Sequence, residues 1–368
     1  MNEPRLPPVL VAAGGTGGHL FPAAALAGAL SERGVAVHLA TDRRAARFGD
    51  AFADDVIHVV TSATLRSRNP VAVVQTAAGL GLGLLQAWRL IGRLRPAAVI
   101  GFGGYPSVPP VLAAVWRGVP TLIHDANAVV GRANRLLAPR VTAIAMTFPD
   151  IFREAPDLAA KATLTGNPVR AAVIAAAATP YTLPSDALRL LVFGGSQGAR
   201  IMADIVPAAI ARLEPGLRSR LHIVQQVREE DLPRVQNNYT RLTVAAEVAP
   251  FFSDLPARIA ASHLVVARSG ASTVAELAAI GRPSILVPLP HAIDQDQFVN
   301  AGVLERAGGA LRLVQETFTP ERLAAEIAGL ARVPQRLAAM AAAARSLGKL
   351  DAAERLADLV LNVAAISP

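Results

Sequence analysis

At 368 residues the chain has room for two domains, each with its own core. Apolar residues make up 52% but aromatics only 4%, so the cores are aliphatic and the helices rich in alanine. With no cysteine, a disulfide framework, a thiol nucleophile and thiolate metal sites are all excluded.

The net charge of +8 comes almost wholly from arginine, since Lys161 and Lys349 are the only lysines. Its placement is uneven. Between Thr61 and Arg140 stand Arg66, Arg68, Arg89, Arg93, Arg95, Arg117, Arg132, Arg135 and Arg140 against one acid, Asp125. This is a local basic field. Three tyrosines and two tryptophans are too few to interleave with it as a nucleic-acid surface would require. The first eight residues lead into no apolar signal segment, so the expected compartment is the cytosol.

Val9 to Ala13 forms a buried strand that feeds Gly14-Gly15-Thr16-Gly17-Gly18-His19, with a helix expected from about Pro22 to Arg33. Glycines there let backbone amides approach a ligand without Cβ obstruction. The spacing differs from the dinucleotide fingerprint G-x-G-x-x-G. His19 closes the loop, and an imidazole titrating near neutrality suits a general base, although a lone histidine at a helix start more often caps or hydrogen-bonds. Val35 to Ala40 is the second strand.

Pro70 to Trp88 carries no charge and is long enough to span a bilayer. Gln75, Thr76, Gln86 and three glycines argue instead for a crossover helix. Val73, Ala77, Leu80, Leu84 and Ile91 share its inner face, while Leu82, Leu85 and Trp88 fall outside it near Arg89 and Arg93. Such an outer face suits a membrane surface, or cover by a neighbouring element. Ala97 to Gly101 and Thr121 to His124 are further strands. They end in a second glycine turn, Gly103-Gly104-Tyr105, and in Asp125-Ala126-Asn127. Parallel strands gather such ends along one edge, where ligands bind.

After Asn167-Pro168-Val169-Arg170 a stretch with Pro180 and Pro184 reads as linker. The pattern then restarts with the strand Arg189–Phe193, a third glycine turn Gly194 to Gly198, and a helix from about Ala199. Two series that each open on a glycine turn suggest two similar α/β domains facing a cleft. Leu221–Val224 and Leu242–Val244 are weaker strands, and Phe251-Phe252 lies in a loop.

From His263 to Ala267 another buried strand leads to Ser269 and Gly270, then to a helix from Ala271 to Ile280 ended by Gly281. The amides of Ala271, Ser272 and Thr273 thus sit at a helix N-terminus, which favours an anion. Glu276 lies about one and a half turns inside, where an ionised carboxylate, only an acceptor, suits ribose hydroxyls. The Gln297 amide can donate to and accept from a second polyol. Phosphate, ribose and sugar in that order read as a nucleotide-sugar site. Asp294-Gln295-Asp296 mimics a D-x-D metal motif, but no metal role is assigned to it. Helices are expected at about 319–331, 334–347 and 351–364, the last capped by Asp351 and long enough to return to the first domain.

Gly14 to His19, Gly101-Phe-Gly-Gly-Tyr-Pro-Ser107, Gly166-Asn-Pro-Val-Arg170, Gly194-Gly-Ser-Gln-Gly-Ala-Arg200 and Ser269 to Glu276 together resemble the MurG family of bacterial glycosyltransferases. The likeness is colinear from about Val9 to Asn300. It implies a GT-B fold of two Rossmann-like domains, at 1–167 and 168–346, with a C-terminal helix over 347–368 that packs on the first. It implies inverting transfer of N-acetylglucosamine from UDP-GlcNAc to the 4-hydroxyl of the muramoyl sugar of lipid I, giving lipid II and UDP. No cofactor and no metal are implied.

By motif, Thr16, Gly17, Gly18, Asn127, Arg170, Ser196, Phe252 (through its backbone), Ala271, Ser272, Thr273, Val274, Ala275, Glu276 and Gln297 would contact the donor. His19 would be the base, with Asp125 a second catalytic candidate. Gly103, Gly104 and Tyr105 would border lipid I. Leu82, Leu85, Trp88, Arg89 and Arg93 would meet an anionic membrane surface, at the cytoplasmic face of the plasma membrane. Where the family carries Glu-Gln, this chain has Asp125-Ala126, which withdraws the carboxylate by about 1.5 Å. Gln225-Gln226-Val227-Arg228 likewise replaces the family's His-Gln-x-Gly segment. Rival readings are a UDP-GlcNAc 2-epimerase on a related fold and a transferase acting on another lipid acceptor.

Overall fold

The computed structural model describes residues 6–14, 17–42, 52, 56–62, 69–195 and 198–365, with the side chains of 70–75 and 293 left aside. Thr16, Ser196, Arg66, Arg68 and the Val73 side chain therefore lie outside the described residues. The chain divides into two compact units, one running to Arg170 and resuming at Leu350, the other Ala171–Lys349.

The first unit is built on a parallel sheet of seven strands in the order β3-β2-β1-β4-β5-β6-β7. These are β1 Val9–Ala12, β2 Val37–Thr41, β3 Ile57–Val59, β4 Ala98–Gly101, β5 Thr121–Asp125, β6 Ala143–Met146 and β7 Ala162–Leu164. Alternation along β1 supplies both faces. Val9 and Val11 turn to one core with Leu20, Leu26 and Leu30, and Leu10 turns to another with Leu90, Ile91 and Val111. The helices that matter here are α1 Gly17–Ser31, α2 Pro70–Leu94, α3 Val108–Trp116 and α4 Arg132–Leu137. The last helix, Ala352–Ala364, lays Ala353, Leu356, Ala357, Val360 and Leu361 on the α1 side, at helical spacing. Arg33 pairs with Asp358 across that contact at 2.6 Å. Burial of Leu356 and Val360 contributes about 1.5–3 kcal/mol each.

Three sequence expectations change here. Helix α1 begins at Gly17, so His19 belongs to its first turn and Pro22 to its interior. The inner stripe of α2 is Gly83, Ala87, Leu90 and Ile91, with the expected Leu84 packed beside it, whereas Ala77 is exposed. A Cβ on Gly83 would stand 1.9 Å from the Thr61 carbonyl oxygen, so the close approach of α2 to the end of β3 depends on glycine. Asp351 makes no capping hydrogen bond and pairs with Arg355 instead.

The second unit has a parallel sheet of six strands in the order β10-β9-β8-β11-β12-β13. They are β8 Leu188–Phe193, β9 Leu221–Gln226, β10 Ala245–Ala249, β11 Leu264–Ala267, β12 Ser284–Leu286 and β13 Ala310–Arg312. Strand β10 thus follows, and does not include, the expected Leu242–Val244. A helix at Ala171–Ala177 occupies part of the expected linker. Arg282 is only 1% exposed, and its hydrogen bonds among the described residues all go to carbonyls: its Nε donates to Ala260, its Nη1 to Ile280 and Gly281, its Nη2 to Thr179. It thereby ties the C-terminal end of the helix Ala271–Ile280 to residues 179 and 260.

Candidate active site

In each unit the central strands end side by side, and the glycine turns follow. Ala12 is registered with Gly101, which brings the turns after β1 and β4 together. A Cβ on Gly14 would stand 2.8 Å from the Pro106 ring, so only a hydrogen fits there.

Just beyond, the His19 ring lies against Gly103 and Gly104. Cβ atoms at those positions would sit 3.3 Å from its Cε1 and 3.4 Å from its Cδ2. Both glycines have positive φ, 87° and 70°, which a side chain would strain. His19 Nδ1 is buried and has no hydrogen-bond partner among the described residues. Desolvation lowers the pKa of His19, opposed by the nearby Phe102 backbone, so the imidazole is neutral at neutral pH. The first unit therefore brings together His19, Gly103 and Gly104, with Tyr105 next in the same turn.

Asp125 ends β5, buried to 1%. Its carboxylate accepts from the Asn127 amide at 3.1 Å, the Gly131 amide at 3.0 Å and Asn134 Nδ2 at 3.1 Å. Burial raises its pKa to about 6, and those three donors work against that rise. The geometry is that of an anchor: Asp125 fixes the loop carrying Asn127 and the entry to α4. Beside it, His124 Nε2 contacts the Gly166 carbonyl at 3.1 Å; burial lowers its pKa to about 4, opposed by that contact and reinforced by repulsion from a protonated His19. Arg170, which ends this unit's first segment, stacks its guanidinium 4.3 Å from the Phe21 ring.

On the outside of α2, Leu82, Leu85 and Trp88 are 51%, 46% and 37% exposed, and Arg89 and Arg93 are exposed beside them. Arg117 lies 4.1 Å over the Trp88 ring, and its chain neighbour Trp116, which no periodicity marks, is 58% exposed. Among the described residues no helix is long and apolar enough to cross a membrane.

In the second unit the helix Ala271–Ile280 starts at Gly270, and no side chain caps it. Its first amides are thus left for another acceptor. Ser272 Oγ is buried with no partner among the described residues. Glu276 is buried to 6% on this helix. Val274 has its side chain in the core at 1% exposure, and its amide donates to the Gly270 carbonyl, so it packs the helix. Ala275 is half-buried one residue further along the same helix.

Ser269 Oγ donates to the Gln297 carbonyl at 2.8 Å, and Asn300 Nδ2 donates to the Ser269 carbonyl at 3.3 Å. These bonds pin the helix Asp296–Ala307 to the turn after β11. Gln297 Oε1 accepts from the Leu289 amide at 3.0 Å, so its amide nitrogen is the end left to present. Between them, His291, Asp294 and Gln295 hold left-handed backbone at φ 58°, 56° and 52°. Each costs about 1–3 kcal/mol, and strain of this kind concentrates at ligand sites. Gly195 has φ 85° and, among the described residues, nothing within 4 Å of a would-be Cβ, so these leave its backbone open to an approaching group. Phe252 is buried to 8% under the Arg258 guanidinium, 4.2 Å from the ring. Among the described residues no three His, Cys, Asp or Glu side chains are grouped to hold a metal ion.

Comparison with known proteins agrees with this layout. Residues 9–146 match the glycosyltransferase family 28 N-terminal domain and residues 189–356 its C-terminal domain. The chain is 62% identical to the UDP-N-acetylglucosamine--N-acetylmuramyl-(pentapeptide) pyrophosphoryl-undecaprenol N-acetylglucosamine transferase of Rhodopseudomonas palustris strain BisB18, over 98% of this chain and 97% of that one. It is 63% identical to the transferase of the same description in Bradyrhizobium sp. strain ORS 278, over 98% and 99%. The crystal structure of Acinetobacter baumannii MurG superposes with a TM-score of 0.78 at 29% identity, covering 96% of this chain and 99% of that one. A UDP-GlcNAc 2-epimerase from Neisseria meningitidis superposes at 0.69 over 96% of this chain and 99% of that one but shares 13% identity, which speaks for fold alone. Two matched domains and near full-length identity above 60% place the chain in glycosyltransferase family 28, as a member of its MurG group.

Proposed function

We infer that this chain transfers N-acetylglucosamine from UDP-GlcNAc to lipid I, the undecaprenyl-pyrophosphoryl N-acetylmuramyl pentapeptide, releasing UDP and forming lipid II for peptidoglycan. The observation that carries the reading is the uncapped tip of the helix Ala271–Ile280 with Glu276 inside it, in a chain whose relatives bear that activity in their names. The test is to mix protein, UDP-GlcNAc and lipid I with a chelator present and follow UDP. Release that requires lipid I supports transfer. UDP-ManNAc formed without acceptor would overturn it in favour of epimerisation.

The mechanism assigns each bond to a group. Neutral His19 takes the proton of the muramoyl 4-hydroxyl as that oxygen attacks the anomeric carbon, and the C–O bond to the diphosphate breaks with inversion. The electron pair leaves with UDP. Its charge is met by the amides of Ala271, Ser272 and Thr273 and by the backbone of the turn around Gly195, preorganised donors that act without a divalent cation. Glu276 accepts from the ribose hydroxyls, the Gln297 amide nitrogen donates to the sugar, and the Phe252 backbone meets uracil. By motif, Asn127 and Arg170 are assigned to the donor as well. Asp125 serves by holding the Asn127 loop.

The acceptor's lipid must be presented from a membrane. We assign the docking surface to Leu82, Leu85, Trp88 and Trp116 ringed by Arg89, Arg93 and Arg117, at the cytoplasmic face of the plasma membrane. Exposed apolar side chains beside arginines suit partial insertion under anionic headgroups.

A further inference from the structure

Strand order sets up a direction along the first unit's edge. His19 follows β1, the Gly103–Tyr105 turn follows β4, the Asp125–Gly131 loop follows β5, and residues 147–158 follow β6, in neighbouring positions of one sheet. Between the last two segments lies an open cavity of about 490 Å³, within the range of small-ligand sites. Its apolar walls are Val129, Val130, Phe152 and Leu158, and two guanidinium groups, Arg135 and Arg153, border it. The wall formed by residues 128–130 belongs to the loop that Asp125 anchors through the Asn127 and Gly131 amides, so the cavity shares that loop with the candidate site. Arg135 is itself held to that wall, its Nη2 donating to the Val130 carbonyl at 3.1 Å.

The acceptor named for the relatives has four chemical parts: a muramyl sugar, a pentapeptide, a pyrophosphoryl group and an undecaprenyl chain. The sugar is committed to His19, two strands away. A pyrophosphate would call for an excess of positive charge, but Asp150 and Glu154 also border this cavity and balance its two arginines. An isoprenoid chain would call for no charge at all. What suits apolar walls with charges of both signs is a short peptide, whose carbon atoms pack on those walls while its terminal carboxylate finds a guanidinium.

We propose that this cavity is the subsite for the acceptor's pentapeptide, with Arg153 pairing its terminal carboxylate and Val130, Phe152 and Leu158 packing its side chains. The proposal rests on transfer to lipid I and adds where the peptide goes. Because Arg153 is exposed, Arg153→Glu alters the charge and not the core. Leu158→Gln, half-buried on the same wall, is the companion variant.

The experiment measures KM and kcat with two soluble lipid I analogues, one carrying the whole pentapeptide and one with the peptide cut to its first residue. The proposal expects each variant to raise KM for the whole acceptor by about tenfold, equivalent to about 1.4 kcal/mol. KM for the cut acceptor and for UDP-GlcNAc stay as in the wild type. Equal losses on both acceptors, or no change on either, would overturn it. A wild type that transfers to neither acceptor would instead remove the activity on which the proposal depends, a result recognisable without any variant.

Discussion

The ring of His19 rests on the backbone of Gly103, so close that a Cβ there would stand 3.3 Å from Cε1. Contact of this kind makes the second glycine turn a support for the base as well as a border for the acceptor. Gly103 also has φ 87°, outside the range that side chains readily take. Gly103→Ala should therefore tilt the imidazole and lower kcat by about tenfold to a hundredfold, since small misplacements at the reacting atoms cost rate steeply. UDP-GlcNAc affinity should hold, as measured by calorimetry. Wild-type kcat in this variant would mean the ring has freedom that the packing denies it.

Because burial lowers the pKa of His19, the acidic limb of kcat/KM should fall with a midpoint below the ordinary histidine value of 6.5. The sign follows from the role: the base must be unprotonated, so activity is full above that midpoint and lost as pH falls through it. His19→Ala should lose two orders of magnitude or more in kcat and with it the limb. A limb that survives in this variant would belong to another group.

Asp125→Ala should act through the loop it anchors. Three donors lose their acceptor, at about 1 kcal/mol or more each, so chemical denaturation should show a loss of about 2–3 kcal/mol. Its raised pKa of about 6 adds a pH signature. The folded state binds this proton more tightly than the unfolded chain does, so the Asp125 contribution to stability declines as pH rises from the unfolded value to about 6, then levels off. Asp125→Asn should flatten that window, and a stability curve unchanged across it would contradict the assignment.

Much of this architecture can be read from the sequence because buried parallel strands are short apolar runs: Val9–Ala12, Ala98–Gly101, Leu188–Phe193 and Leu264–Ala267 all stand out. Strands β3 and β7 do not, being three residues long and largely uncovered. The start of α1 is hidden by Gly17 and Gly18, poor helix formers that packing of Leu20 and His19 overrides. The glycine turns and the helix tip at Ala271 were legible from punctuation alone. The anchoring role of Asp125 was signalled too, since Asp-x-Asn offers an Asx turn, and the Asn127 amide makes that bond. No local signal marks Arg282, or the left-handed backbone at His291, Asp294 and Gln295, because tertiary contacts set both.

The buried guanidinium of Arg282 supplies a stability test. It satisfies the Ala260, Ile280, Gly281 and Thr179 carbonyls, and burial lowers its pKa. Arg282→Met fills similar space but strands those acceptors, and should cost about 3 kcal/mol. Since the lost bonds hold the C-terminal end of the helix Ala271–Ile280, UDP binding at the other end should weaken far less than stability does. A variant as stable as the wild type would show that water replaces the guanidinium without loss.

Glu276 is the residue on which the nucleotide reading can be tested most directly. If its carboxylate accepts from ribose, then wild-type protein should bind UDP at least tenfold more tightly than 3′-deoxy-UDP, which lacks one of the donors. Glu276→Ala should weaken UDP to about the level of the deoxy compound and erase the difference between the two, because the hydroxyl then has no carboxylate to meet. Inorganic pyrophosphate, which engages only the amides at the helix tip, should inhibit both proteins alike. The three ligands separate the possibilities: a carboxylate that merely stabilises the helix would lower all three affinities together, and one that binds ribose lowers only those that carry it. A variant that still prefers UDP to its deoxy analogue by the wild-type margin would detach Glu276 from the donor and leave the helix tip as the nucleotide's only anchor in this helix.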